Sequence, residues 1–209
     1  MASELAIRRN WGRGNHALRP VLDTWSDLVT GYLDSEWETP FNHTEAANNS
    51  LLCAAAYKND WVGICELVVA RDKGTNSVGR CDVYLSNESK GFLIETKQLW
   101  HASSSKNFTK ENLGKLKQAE KQAKDLPDYR KDQDYRRFAG AYVIPAFSKT
   151  ADFSVDDITD CFTRCTDLLN ARGYGLGTWL FINPAADINV DLGSYRRRPG
   201  VIFGLKEIL

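Results

Sequence analysis

The sequence predicts an α/β fold, a mixed central β-sheet flanked by helices, and three observations predict it. Three β-type runs follow one another between Trp61 and Ile94 with no helical pattern between them. Two later β-type runs, Phe138–Pro145 and Gly177–Ile182, are each preceded by a helix-type pattern. Strands in a row, followed by strands separated by helices, suit a mixed sheet covered by helices. The composition agrees: 43% apolar and 26% charged residues are ordinary for a globular chain. At 209 residues, one large domain spanning 1–209 is expected, with enough chain to bury a substantial core.

Taken in order, residues 1–15 carry Arg8, Arg9, Trp11 and Arg13 beside two glycines, and are expected to form a flexible basic arm. From Pro20 to Tyr32, Val21, Trp25, Leu28 and Tyr32 recur at helical spacing, and proline is tolerated in a first turn. Asp34–Asn42 reads as a polar turn. Thr44 is a good N-cap for a second helix running to Ala56, on which Glu45, Asn49, Leu52 and Ala56 share one stripe. Glu45 there either complements the helix dipole or contacts a metal or water. Trp61–Ala70 is a strand in which Glu66 shares the face of Ile64 and Val68. A carboxylate on such a strand is costly to bury unless it is paired or bound to a cation.

After the 71–78 loop comes a β-hairpin, Val83-Tyr84-Leu85 and Phe92-Leu93-Ile94 around the polar turn Ser86–Gly91. A helix is expected over 111–126, with Leu113, Leu116, Ala119, Ala123 and Leu126 as its apolar stripe. Lys117, Lys121 and Lys124 form a basic stripe, and Lys115, Gln118 and Gln122 a polar one bordering the core. A lysine-rich face is either simply solvated or, turned to an active site, able to neutralise a phosphate backbone. Beyond the Phe138–Pro145 strand, an acidic run opens a helix that stops at Gly173. The last strands are Gly177–Ile182 and Val201–Leu205.

Composition also excludes classes of function. With 27 basic and 27 acidic residues, nucleic-acid contact must come from a local patch. No apolar run approaches the ~20 residues that span a bilayer, and no signal-peptide pattern opens the chain, so a cytoplasmic protein with no membrane partner is expected. Five cysteines without a Cys-x-x-Cys pair read as free thiols rather than a zinc site. Three widely spaced histidines give little support to a histidine mechanism.

The hairpin concentrates chemistry. If Leu85 faces Phe92, Asp82 falls opposite Glu95, and cross-strand neighbours sit about 4.5–5.5 Å apart at Cβ. Lys97 then shares the face of Glu95 while Thr96 points the other way. Two carboxylates so close repel unless a cation lies between them. Mg²⁺ accepts one or two carboxylates plus waters and phosphate oxygens, and an adjacent lysine adds a compact positive charge. These parts suit phosphodiester hydrolysis.

Asp82 followed by Glu95-Thr96-Lys97 at the end of an apolar strand resembles the signature of the PD-(D/E)xK nuclease superfamily. The order helix, three strands, helix, strand is similar to the αβββαβ core of its restriction-endonuclease-like fold. The resemblance covers about 44–144, the C-terminal helix and strands being additions, and Cys81 stands where the family has proline. It implies that Asp82 and Glu95 hold Mg²⁺ (or Mn²⁺ in its place), helped by the Thr96 carbonyl, and that Lys97 assists the attacking water. Glu45 matches the glutamate many members add from the preceding helix, and Glu66 the acid that others carry on the first strand. Lys115, Gln118 or Gln122 would meet the scissile phosphate, with Lys121 on the basic face beside them. The expectation is a Mg²⁺-dependent nuclease acting on DNA, alone or as a homodimer or larger complex. The alternative is a catalytically inactive member that binds nucleic acid or protein, which six tryptophans keep open.

Overall fold

The structure, a computed structural model, describes residues 6–14, 16–36, 41, 43–70, 78–126, 134–148, 153–182 and 198–209. They form β1 (Ala6–Trp11), α1 (Arg19–Glu36), α2 (Glu45–Tyr57), β2 (Val62–Ala70), β3 (Val78–Ser86) and β4 (Lys90–Ala102). There follow α3 (Lys110–Lys124), β5 (Asp134–Ala146), α4 (Val155–Asn170), β6 (Leu176–Ile182) and β7 (Gly200–Ile208). The seven strands make one mixed sheet in the order β1-β6-β7-β5-β4-β3-β2, in which only β4 and β5 run parallel. Parallel neighbours need a crossover connection, and α3 is that crossover.

A sheet covered on both faces must present an apolar row on each, and β5 shows this most plainly. Phe138, Tyr142 and Ile144 are buried with α1 and α2, whereas Ala139, Ala141 and Val143 are buried with α3 and α4. Tyr142 stacks on Phe203 of β7 at 4.3 Å between ring centres, with Trp25 of α1 tilted over both. The α1 stripe is Val21, Leu22, Trp25 and Val29, so Leu28 and Tyr32 lie at its margin rather than its centre. At the start of α4, Ser154 and Asp157 form a reciprocal capping box, which is why the acidic run opens a helix.

Several sequence expectations need correction. Residues 6–11 are not a loose arm: they are edge strand β1, paired antiparallel with β6 from Ala6↔Ile182 to Trp11↔Gly177. Exposed polar side chains on this strand find partners, Arg8 with Asp27 and Asn10 with Asp23. Residues 1–5 lie outside the described residues. α1 continues to Glu36 through part of the segment expected to turn, and β4 runs on to Ala102 because β5 pairs with its whole length. Thr44 has the extended backbone of an N-cap but makes no side-chain capping bond. All five cysteines are free thiols, as expected, and the Cys53 and Cys65 sulfurs lie 3.2 Å apart across α2 and β2. Among the described residues no helix is long and apolar enough to cross a membrane.

The contact between α2 and β2 is close because Gly63 has no side chain. A Cβ there would sit 2.6 Å from the Cys53 carbonyl oxygen and 2.8 Å from its Cα. Gly63→Ala is therefore expected to destabilise the protein by about 1–3 kcal/mol in urea unfolding, as other overpacked positions do. Gly114→Ala, on α3 with nothing within 4 Å of the added carbon, is expected to stabilise by about 0.5–1 kcal/mol.

Candidate functional site

The site forms where a ladder stops. β3 and β4 pair as the hairpin pattern predicts, from Ser86↔Gly91 through Leu85↔Phe92 to Val83↔Ile94. Beyond Ile94 that pairing ends, while β4 stays bonded to β5 as far as Ala102. At the same level the β2–β3 ladder passes from Cys65↔Val83 to Leu67↔Cys81, skipping Glu66 and Asp82. Glu66 has φ 57°, a left-handed backbone that side chains other than glycine adopt at a cost of about 1–3 kcal/mol. Both strands exchange faces there. Cys65 and Val83 pack on the α2 side, whereas Leu67 and Cys81 join Leu93 and Leu126 on the α3 side.

Asp82 occupies the exchange point, and its carboxylate stands in for a strand carbonyl. Oδ2 accepts from the Thr96 backbone N–H at 2.8 Å and from the Thr96 hydroxyl at 3.4 Å. The Lys97 ammonium lies 3.6 Å from the same oxygen and 3.5 Å from Glu45 Oε1, and donates to the Thr96 carbonyl at 2.5 Å. The other Glu45 oxygen accepts from the Gln98 N–H at 2.8 Å, which ties the first residue of α2 to β4. Burial pushes the Glu45 carboxyl above its ordinary range, against the opposing pull of Lys97.

Behind these charges lies a buried chain of neutral donors. Tyr142 Oη donates to Asn49 Oδ1 at 3.1 Å, Asn49 Nδ2 donates to the Thr96 hydroxyl at 3.0 Å, and that hydroxyl reaches Asp82. Burial raises the Tyr142 phenol well above its ordinary value, so it remains a donor. Gly140, opposite Thr96 on β5, leaves room for this chain: a Cβ there would lie 3.0 Å from Thr96 Cγ2. Asn48 completes the cluster, with Nδ2 3.4 Å from Gln98 Oε1.

Of the residues singled out by sequence, Asp82, Lys97, Thr96 and Glu45 come together. Glu95 is buried (1% exposed), on the β4 row that carries Leu93 and Leu99 toward α3. Burial and, next, the Glu95 charge push the Cys81 thiol up to about 12. Asp82 contacts Thr96 and Lys97. Glu66 does not join the cluster; it is half-exposed and pairs with Arg80 at 3.4 Å. On α3, Lys115 pairs with Glu111 at 3.0 Å and Gln118 is exposed. Gln122 is half-buried, with a buried Oε1 that has no hydrogen-bond partner among the described residues. Lys121 is not beside the fork: it lines a cavity with Lys117, Lys124 and Lys206 on the β7 side of α3.

Sequence reasoning missed Asn49, Asn48, Tyr142 and Gln98. The available signal was Asn49 itself, an amide on the apolar stripe of α2, since a buried amide needs partners.

Among the described residues no three His, Cys, Asp or Glu side chains form a metal-ligand cluster. The donor chemistry nonetheless fits a hard cation. Two carboxylates and a carbonyl already surround one ammonium, and Mg²⁺ is held by few carboxylates together with water.

Removing one partner from a buried chain strands the others, at about 1–3 kcal/mol for each unsatisfied group. Asn49→Ala, which strands the Tyr142 hydroxyl and leaves the Thr96 hydroxyl only its 3.4 Å contact with Asp82, is expected to destabilise more than Tyr142→Phe, read from paired denaturant titrations. Comparison with protein-family models, curated proteins and solved structures returned no match for this chain.

Proposed function

We propose that the protein is a Mg²⁺-dependent nuclease hydrolysing phosphodiester bonds in DNA, built on a restriction-endonuclease-like αβββαβ core. The single observation carrying this reading is the seat of Lys97. One ammonium is gathered by Asp82, Glu45 and the Thr96 carbonyl where β3 and β4 part. The element order α2-β2-β3-β4-α3-β5, with β4 and β5 parallel, supports the fold part of the proposal.

Asp82, Glu45 and the Thr96 carbonyl would hold the ion, with Glu95 the buried acid behind them. When bound, Mg²⁺ supplies charge stabilisation on the phosphate and an acidified water. Lys97, released from the carboxylates, places its positive charge beside the water or phosphate. Asn49 and Tyr142 fix Thr96, and through it the orientation of Asp82. Lys115, Gln118 and Gln122 would line the approach of the strand along α3. A reducing cytoplasmic setting belongs to the same proposal and is supported by the five free thiols.

The seat of Lys97 also favours a second reading, a silent nucleic-acid- or protein-binding subunit in which the lysine neutralises the carboxylates permanently. Two measurements separate them. Supercoiled plasmid and single-stranded DNA are incubated with Mg²⁺ or Mn²⁺; cleavage is expected from the wild type, with a loss of at least about 100-fold in Asp82→Ala and Lys97→Ala, the scale on which electrostatic catalytic groups act. In calorimetry, Lys97→Met is expected to bind Mn²⁺ more tightly than wild type, because the carboxylates lose their resident cation, while Asp82→Ala loses the binding heat. Intact DNA in every reaction, with no Asp82-dependent heat, would leave the silent subunit as the better account.

A further inference from the structure

A second site lies at the other end of the sheet, where β4 and β5 begin and β7 ends. A cavity of about 420 Å³ opens there between the turn before α1, the start of β4 and the turn before β6. Its polar lining is Arg13, His16, Lys90, Arg136 and Glu207, over a floor that includes Phe138 and Leu205. The chain as a whole has no net charge, yet this lining carries three cations and one carboxylate.

That carboxylate is already engaged. Arg136 Nε and Nη2 donate to the two Glu207 oxygens at 2.7 and 2.6 Å, a bidentate pair that fixes the guanidinium and leaves its other N–H groups available. The guanidinium also lies 5.9 Å from the centre of the Phe138 ring. His16 is fixed as well, edge-on to Phe138 at 6.0 Å. Its Nδ1 accepts from the Leu18 N–H at 3.2 Å, so in the neutral ring Nε2–H is the donor. Burial, and then the nearby Arg136 charge, hold the His16 pKa below its ordinary value, which keeps the ring neutral. Arg13 and Lys90 also line the cavity and make no ion pair among the described residues.

Two fixed donors and two cations without an ion pair among the described residues, lining one cavity, form a receptor for an anion with several oxygens. A phosphomonoester offers three strong acceptor oxygens and close to two negative charges near neutral pH, and can engage donors from several directions. The volume suits a phosphate with a nucleoside-sized group attached. We propose that this cavity binds a terminal phosphate group, presented by a small phosphate ester or by the phosphorylated end of a nucleic acid strand.

The test uses the full chain with a chelator present, so that it is independent of divalent-metal chemistry at the fork. Inorganic phosphate, a nucleoside 5′-monophosphate, and a short oligonucleotide with either a 5′-phosphate or a 5′-hydroxyl are titrated by calorimetry. Saturable binding of the phosphate-bearing probes is expected. It should weaken by at least about tenfold, or about 1.4 kcal/mol, in Arg13→Ala/Lys90→Ala and again in Lys90→Glu alone. Thermal melts check that the fold survives both substitutions. Tighter binding of the phosphorylated oligonucleotide than of the monophosphate assigns the group to nucleic acid; equal binding assigns it to small esters. Absence of saturable phosphate binding, undiminished binding in both variants, or equal binding of the hydroxyl-ended oligonucleotide would overturn the proposal.

Discussion

Everything at the fork depends on one substitution of acceptors: the Asp82 carboxylate takes the Thr96 N–H that a β3 carbonyl would otherwise receive. An unbonded strand N–H at this depth would cost as much as a lost hydrogen bond, so the ladder cannot simply stop. A side chain must replace the missing acceptor, and a carboxylate does so with a charge-assisted bond. The consequence is directional. Asp82 is pulled across the gap toward β4 instead of standing out from one face of the sheet. The face exchange at Glu66 and Asp82 is the backbone rearrangement that permits this, and Glu66 bears its strain.

Once Asp82 is fixed there, its charge has to be balanced. Lys97 and Glu45 are both partly buried, and each lowers the cost of burying the other's charge. Three oxygens around one ammonium satisfy the electrostatics of the resting protein, and the same three oxygens are hard donors. In the resting protein that one positive charge is the Lys97 ammonium. Breaking a partly buried pair is costly because the remaining partner is left uncompensated, which makes each member of this cluster depend on the others.

How much of this the sequence disclosed follows from the physics of each signal. Register in the hairpin was legible because two β-type runs bound one short polar turn, Ser86–Gly91, and pairing symmetric about it sets Leu85 against Phe92. The direction of Asp82 was not legible, because alternation holds only along an unbroken strand and nothing in Cys-Glu-Leu announces a left-handed residue. Strand β1 was hidden for a related reason. Its Arg-Arg-Asn centre lies on an edge, paired on one side only, so it needs no apolar row. Glu45 was legible as the end of a core-facing stripe, but its partner was not, since the reach from α2 to Gln98 depends on how closely the helix approaches the sheet. Glu66, matched to a first-strand acid of the resembled family, pairs with Arg80 instead, and Lys121, named from the basic face of its helix, lines a cavity on the β7 side.

That close approach is the last link between fold and chemistry. Helix α2 carries Glu45, Asn48 and Asn49, and the helix is held against the sheet by alanines on its inner face and by the absence of a side chain at Gly63. Gly140 provides the matching space on β5, under Thr96. Two missing β-carbons on separate strands therefore set the distance over which an amide on a helix can reach a hydroxyl on a strand. The polar atoms of the fork are carried by helices and strands whose spacing is set by packing rather than by loops. Lys97 reaches these oxygens on a long unbranched stem and is held by Glu45, Asp82 and the Thr96 carbonyl together. The site thus gathers oxygens from a helix and two strands around one ammonium, at a spacing that depends on where the glycines fall.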